Sequence, residues 1–518
     1  MAEPGAAADA PQNEVELKLL TDARTARRVW RQPAVKALLS GKPRVRRIRT
    51  AYYDTPDDAL MQYGCALRVR SCGEKHEQHL KTAGRVEGGL FHRQEWQAPL
   101  ASDTPDLAAW DGEAAEILAP HRKALRRIFE SDMERTDALL SNGLFSVELA
   151  VDIGVIRAFD EEGATVAETP LVEIELEWKG GPAEHVFDLA LDLARALPLV
   201  LGWQSKAERG YTLSHGGGPQ PRRAALPAIP ADTPLPRAMA QILSETMAHF
   251  LTNQPSLEAS GAAEAVHQMR IACRRMRAAL ALFADLLPEA ELAEFRAGFR
   301  DLALVLGHVR DLDVLIAEGL APLNAAAETP EEVALTLRRL LPLLESRRAE
   351  LLAAARGRIA APETALLLLR LGRRLVLSAQ ESRGEALASF ADAVLGRRHH
   401  AVKRRAKRLC AQSAPQRHAL RIAAKKLRYA SEFFQSLYPP KAMRLYLRNL
   451  SALQDILGSL NDIANLPHLI AETAGKDAAT ATAAGYAMGW HLRRLRFGLE
   501  EASEVCRALD AAPLFRRR

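Results

Sequence analysis

Aromatic side chains make up only 5% of this 518-residue chain, and cysteine occurs five times. The cysteines, at 65, 72, 273, 410 and 506, form no CxxC pair and no regular ladder. This pattern excludes a disulfide scaffold and a cysteine-built zinc site, and it fits a reducing compartment. Runs of about 18 uncharged apolar residues are missing too, so no membrane span is expected. The first dozen residues (MAEPGAAADAPQ) carry acids, no basic n-region and no following apolar stretch, which argues against an export signal. A cytoplasmic protein is expected. What is present is ordinary for a globular chain: 48% hydrophobic and 26% charged residues, with Ala, Leu and Arg prominent. At roughly 100–200 residues per domain, the length implies two to four domains.

The charge is divided unevenly. Residues 1–214 hold 27 Lys plus Arg against 34 Asp plus Glu, whereas residues 215–518 hold 43 against 30. An acidic front and a basic back imply two tasks, the second involving a polyanion. Between them SHGGGPQPRRAALPAIPADTPLP (214–236) is too rich in Gly and Pro for a helix and reads as a linker. The expected domains are a flexible segment 1–12, a front domain 13–214, a linker 215–235 and a helical domain 236–518.

The front domain alternates with period two. EVELK sets Glu14, Glu16 and Lys18 on one face and Val15 and Leu17 on the other. ALRVR does the same with Arg68 and Arg70, VEIELEW with Glu173, Glu175 and Glu177, FHRQEW with Arg93 and Glu95, and VELAVDIG with Glu148 and Asp152. A solvated sheet face would mix Ser, Thr, Gln and Lys. Carboxylates gathered on some strands and guanidinium groups on others suit a barrel lumen that holds a metal–polyphosphate complex. Carboxylate oxygens coordinate hard divalent ions there, and Arg or Lys neutralises the phosphates.

ExExK, YYDTPDDAL, LRVR, LKTAG, RxE, ExExE and SKAERGY, in that order over about residues 13–212, resemble the CYTH superfamily of triphosphate tunnel metalloenzymes. The resemblance implies an eight-stranded antiparallel tunnel with helices, an α+β domain that hydrolyses inorganic triphosphate with Mg²⁺ or Mn²⁺. Position by position, it implies metal ligation by Glu14, Glu16, Asp152, Glu173 and Glu175. It implies phosphate binding by Lys18, Arg68, Arg70, Lys81, Arg93, Arg135 and Lys206. Lys18 matches the lysine that orients or activates the attacking water, either as a proton acceptor with a lowered pKa or as a fixed cation. Tyr52 is the candidate active-site tyrosine, with Tyr53 next to it. Where some members carry K-x-R ahead of Arg135, this chain has Met133. An adenylate cyclase on the same fold is the alternative activity, and a non-catalytic scaffold tethered to polyphosphate bodies is the alternative from another class.

Beyond residue 236 the period becomes helical and the chain repeats itself. A shift of 151 residues aligns His267 with His418, Arg270 with Arg421, Arg274 with Lys425 and Arg277 with Arg428. The same shift aligns Phe283 with Phe434, Pro288 with Pro439, Leu306-Gly307 with Leu457-Gly458 and Asp311 with Asp462. An all-α pair of related bundles, about 236–365 and 366–518, is expected. His267, Arg270, Arg274 and Arg277 fall in a stripe about 80° wide, and His418, Arg421, Lys425 and Arg428 in a second. Neither VHQMRIACRRMR nor RHALRIAAKKLR contains an acid, so each stripe repels itself unless an anion intervenes. RRHHAVKRRAKRL (397–409) adds a third basic cluster. The duplication, the histidine-containing stripes and LGxxRD with LGxxND resemble the CHAD domain. That resemblance implies inorganic polyphosphate as ligand and attachment to polyphosphate-containing granules. No aromatics interleave the arginines, so nucleic acid fits poorly.

Overall fold

The computed structural model describes residues 11–121, 124–225, 228–474 and 478–511. Most of the N-terminal segment expected to be flexible, through residue 10, lies outside them. Ten strands form in the front region: β1 (Gln12–Leu20), β2 (Arg44–Asp54), β3 (Cys65–Cys72), β4 (Lys75–Thr82), β5 (Arg85–Glu87), β6 (Leu90–Leu100), β7 (Arg126–Ser141), β8 (Ser146–Phe159), β9 (Thr165–Gly180) and β10 (Val200–Leu201). Their order is β10-β1-β9-β8-β7-β2-β3-β4-β6-β5, and β1 also pairs with β6. That extra pairing closes eight antiparallel strands into a barrel, with β5 and β10 as short additions outside the ring. The expected tunnel is therefore present.

The alternation of β1 explains the two faces of its wall. Val15, Leu17 and Leu19 point outward and are buried, while Glu14, Glu16 and Lys18 point into the lumen. On the outer side the amphipathic helix Glu184–Ala196 packs on β9, burying Val186, Phe187 and Leu193. Full burial of each large apolar side chain contributes about 1.5–3 kcal/mol.

The helix Lys206–Ser214 closes one end. Ser205 and Glu208 form a capping box at its start, which aims Lys206 into the barrel. At Gly210 a Cβ atom would lie 2.1 Å from the Phe129 ring, so only glycine lets the helix approach so closely. The next residue, Tyr211, donates its hydroxyl to Asp54 Oδ2 at 2.7 Å. Asp54 in turn accepts the backbone N–H groups of Thr55, Leu60 and Met61. The DTP and GY motifs thus staple the plug helix to the end of β2. Gly210→Ala is expected to lower stability by about 1–3 kcal/mol through overpacking against Phe129. An unchanged melting temperature would mean that the helix can retreat without loss.

Between Ser214 and Leu235 the described residues form no helix or strand. Hydrogen bonds nevertheless pin this stretch: Ile229 exchanges bonds with the Ser436 hydroxyl, and Leu235 N–H donates to Glu385 O at 2.9 Å. Beyond it every described element is helical, as expected. The two repeat-bearing helices are Ala263–Leu282 and Ala414–Phe433, each followed by a 3₁₀ turn (Ala284–Leu286; Gln435–Leu437) and then by a long helix, Glu289–Val314 or Pro440–Ala474. Phe283 and Phe434, equivalent under the 151-residue shift, both pack on Phe390, at 5.6 and 6.2 Å between ring centroids. Packing separates the described residues into two compact units that interleave in sequence. One takes residues up to Arg222 with Phe250–Ser260 and Ala360–Leu377; the other takes Arg223–His249, Gly261–Ile359 and the rest from Ser378.

Candidate functional site

The barrel register brings charges from seven strands and one helix into a single lumen. Asp152 of β8 lies opposite Glu173 of β9 and opposite Arg135 of β7. Arg135 grips Asp152 with both arms, at 2.7 and 2.6 Å, and also pairs with Glu175. Lys206, arriving from the plug helix, bonds Asp152 at 2.7 Å and Glu175 at 2.9 Å and pairs with Glu173. Lys18 contacts Glu16 at 3.1 Å, Glu173 at 3.6 Å and, more closely, Glu175. Oxygen atoms of Asp152, Glu173 and Glu175 lie within 4.8 Å of one another, all three residues buried. Glu173 Oε2 has no hydrogen-bond partner. Arg209 Nη1 lies 3.7 Å from it. Three convergent carboxylates, one with an oxygen free of hydrogen bonds, are the donor set a hard divalent cation takes.

A second knot lies further round the wall. Lys81 reaches Glu14 at 2.5 Å and Glu95 at 3.3 Å, Arg68 donates to Glu95 at 3.0 Å, and His79 Nδ1 meets the same Glu95 oxygen at 2.7 Å. Glu16 sits between the knots, with Arg93 at 3.4 Å on its other side. Five carboxylates expected together are thus divided: Asp152, Glu173 and Glu175 converge, whereas Glu14 belongs with Lys81 and Glu95. Tyr52 faces the lumen, 3% exposed, stacked on Phe129 at 4.5 Å with its phenol against Arg68. Tyr53 points away and donates its hydroxyl to Asp103 O at 3.2 Å.

Arg70 differs from the other cations. It forms no ion pair among the described residues, and its Nε has no partner. Burial, with Arg68 and Arg135 close by, pushes its pKa down to about 10. A lumen cation held among other cations is a place for an external anion.

In the helical region the two predicted stripes meet. Lys425 lies in the field of Arg274, Arg421, Arg270 and Arg428, so residues from both repeats make one cationic seam. Gly307 and Gly458 occupy equivalent places: a Cβ at Gly307 would lie 3.5 Å from Arg270 Nε, and one at Gly458 3.7 Å from Arg421 Nη2. Asp311 approaches Arg270 at 3.8 Å, and its equivalent Asp462 acts electrostatically on Arg421. The acids missing from the stripes therefore come from the following helix of each repeat. His267 is half-buried with an unpartnered Nδ1, while His418 and Arg277 are exposed. Arg428 lies 3.6 Å from Glu432, which also holds the buried Arg275 at 2.7 Å. The third cluster disperses: His399 bonds the Tyr446 hydroxyl, Arg398 caps Lys426 O, and Lys403 pairs with Asp510.

A CYTH domain model matches residues 12–211, and a CHAD domain model matches residues 241–471. The chain is a CYTH domain followed by a CHAD domain. An inorganic triphosphatase of Haemophilus influenzae is 34% identical over 163 residues, 31% of this chain and 44% of that protein. The chain thus spans less than half the length of this relative. The crystal structure of the CHAD domain from the plant Ricinus communis is 30% identical, covering 58% of this chain and 99% of that one, with a TM-score of 0.51.

Within the CYTH lumen the charges tune one another. Burial disfavours the Lys18 ammonium, but Glu16, Glu175 and Glu173 outweigh it and hold its pKa well above the lysine range. That direction favours the ammonium form of Lys18. Burial raises Glu16, with Lys18 opposing and Glu14 and Glu175 reinforcing. Burial also works on Glu14 and Glu175, yet Lys81 brings the first down, and Lys18, Lys206 and Arg135 the second. His79 stays neutral, driven by burial to about 3. Sequence reasoning passed over His79 as a site residue and used Glu95 only as the partner of Arg93. His79 lies two residues before Lys81, so the same period-two rule places it on the lumen face. In the CHAD region it did not foresee Asp311 and Asp462 as counterions, because the pairing crosses between helices.

Proposed function

We propose that the CYTH tunnel hydrolyses inorganic triphosphate with a divalent metal and that the CHAD region binds inorganic polyphosphate. The observation that carries the first part is Arg70, a cation without an ion pair among the described residues, in a lumen that also holds a convergent carboxylate triad. Asp152, Glu173 and Glu175 would hold Mg²⁺ or Mn²⁺, with Glu14 and Glu16 on the adjoining strand as further oxygen donors. When bound, the metal supplies charge neutralisation at phosphate oxygens. Arg68, Arg70, Lys81, Arg93, Arg135 and Lys206 bind the phosphates, and Tyr52 steadies Arg68. Lys18, as an ammonium, orients water by donating an N–H to its oxygen rather than by accepting its proton. Phosphoryl transfer needs this placement and charge neutralisation more than covalent help. The division of labour follows the domains: 13–214 for hydrolysis, 215–235 as connector, 236–518 as two repeats sharing one polyanion site. A cytoplasmic setting, on polyphosphate-containing granules, is consistent with such a pair, and no helix among the described residues is long and apolar enough to cross a membrane.

Phosphate release from triphosphate, ATP and long polyphosphate, each with Mg²⁺ and Mn²⁺, tests the enzyme reading. Triphosphate should be the preferred substrate and activity should vanish with chelator. Cyclic AMP from ATP without phosphate release from triphosphate would replace this reading by the cyclase one.

The seam carries a pH prediction. Burial, together with Arg274, Arg421, Arg270 and Arg428, pushes the Lys425 ammonium down to about 6. A bound polyanion favours the charged form and raises that pKa. The bound value is then above the free one, so binding takes up about one proton near neutral pH and weakens as pH rises from about 6 toward 10. Calorimetry in buffers of different ionisation heat should record this uptake, and Lys425→Gln should remove it. Uptake that persists in Lys425→Gln assigns the proton to another group.

A further inference from the structure

Three lumen positions lie side by side across the wall beyond the acidic triad. Ser131 on β7 is directly opposite Thr50 on β2, and Thr50 is directly opposite Arg70 on β3. Ser131 is 0% exposed and Thr50 1%. Thr50 Oγ1, Ser131 Oγ and Arg70 Nε are buried and lack a hydrogen-bond partner among the described residues. On the same faces of the two strands the neighbours are Ile48 and Tyr52, and Phe129 and Met133. These four belong to the apolar cluster completed by Tyr211 of the plug helix.

Such an arrangement is costly unless a ligand completes it. A buried hydroxyl without a partner destabilises the fold, and valine or alanine would fill either site without that penalty. Two hydroxyl donors converging with an unpaired guanidinium match the oxygens of a phosphoryl group, which accept several hydrogen bonds and carry the complementary charge. Ile48, Tyr52, Phe129 and Met133 offer no cation to a further phosphate, so a linear chain held here continues only toward Arg68, opposite Tyr52, and the group between Thr50 and Ser131 is its end.

We propose that Thr50 and Ser131, beside Arg70, donate hydrogen bonds to the terminal phosphoryl group of a linear phosphate lodged at the inner end of the tunnel. This rests on the triphosphate reading of the CYTH lumen. It makes the two hydroxyls substrate-positioning groups that act by neutral donation, next to cations that act by charge.

The full chain carrying Thr50→Val and Ser131→Ala tests it, with tripolyphosphate as the probe in calorimetry and in steady-state hydrolysis. Kd and KM should each rise about tenfold or more, the loss of two donors to a charged acceptor. The melting temperature should hold or increase, because the orphaned hydroxyls are gone. Thr50→Ser, which keeps a hydroxyl, should retain wild-type Kd. Unchanged Kd and KM in the double variant overturn the proposal, and a lower melting temperature with unchanged Kd assigns the hydroxyls to the fold instead. Should the double variant melt lower and also bind more weakly, wild-type Kd in Thr50→Ser supports the proposal, and an equal loss there overturns it. Wild-type protein that neither binds nor hydrolyses tripolyphosphate removes the tunnel reading and this one with it. A fully active wild type beside an equally active double variant removes only this one.

Discussion

Glu173→Gln should reduce triphosphate turnover by about 100-fold or more while the protein keeps its melting temperature to within a few degrees. Glu173 belongs to the carboxylate triad, and its Oε2 makes no hydrogen bond and only a loose 3.7 Å contact with Arg209. The substitution preserves shape and removes one negative charge from the donor set. Loss of a single preorganised electrostatic contact at a reacting centre costs about 10²–10³ in rate. The structural cost is small because Lys206 keeps Asp152 and Glu175, and Lys18 keeps Glu16 and Glu175. The metal concentration for half-maximal activity should also rise. Wild-type turnover in Glu173→Gln would remove the triad from the mechanism. Lost turnover with a collapse in melting temperature would instead make Glu173 a structural counterion of Lys206.

Replacing Arg270, Arg274, Arg421 and Lys425 together by Gln should weaken polyphosphate binding about 100-fold or more and at the same time raise the melting temperature. Each neutralised cation removes one point at which condensed counterions are released, so the dependence of affinity on salt should flatten as well. The stabilisation follows from the direction of the shifts. Burial and mutual repulsion lower the pKa of Arg270, Arg421 and Lys425, so the fold disfavours these charges. Removing repulsion worth even about 1 kcal/mol should raise the melting temperature by about 2–4 °C. Triphosphate hydrolysis in the same full-length variant should persist, because the CYTH lumen carries its own cations. Binding of duplex DNA at equal charge is the control. Tyr429, whose ring lies 5.3 Å from the Arg428 guanidinium, is 3% exposed and cannot stack on a base. Equal affinity for DNA and polyphosphate would reduce the seam to a general basic patch, and unchanged polyphosphate affinity in the variant would place binding elsewhere.

Much of the site was legible because the relevant signals are local. Period-two alternation puts Glu14, Glu16 and Lys18 on one face whatever the rest of the chain does, and the barrel makes that face the lumen. The 151-residue repeat was equally plain, and Phe283 with Phe434 and Gly307 with Gly458 take equivalent places. Illegible were the partnerships. Alternation says that Glu95 and Arg93 share a face, but Glu95 is bound by Lys81 and His79 from the adjacent β4 and by Arg68 from β3 beyond it. Nor could sequence separate the five expected metal ligands into a convergent triad and Glu14, which Lys81 holds. That depends on strand stagger, which shifts facing residues along the barrel axis without changing which side they face.

By itself, the sequence determined the two-part organisation, the helical duplication and the facing of nearly every candidate side chain. These rest on hydrophobic periodicity and on repeated spacing, which act within a single element or between equal ones, whereas the closed tunnel was implied by the resemblance to the CYTH superfamily. Only the tertiary structure decided which charges are satisfied and which are not. It put Lys18 among three carboxylates that favour its charged form, left Arg70, Thr50 and Ser131 with unmatched donors, and brought two acid-free stripes together around Lys425. Protonation and ligand affinity are sums over neighbours within a few ångströms, and those neighbours come from segments as far apart in the chain as Lys18 and Lys206, or Arg274 and Lys425.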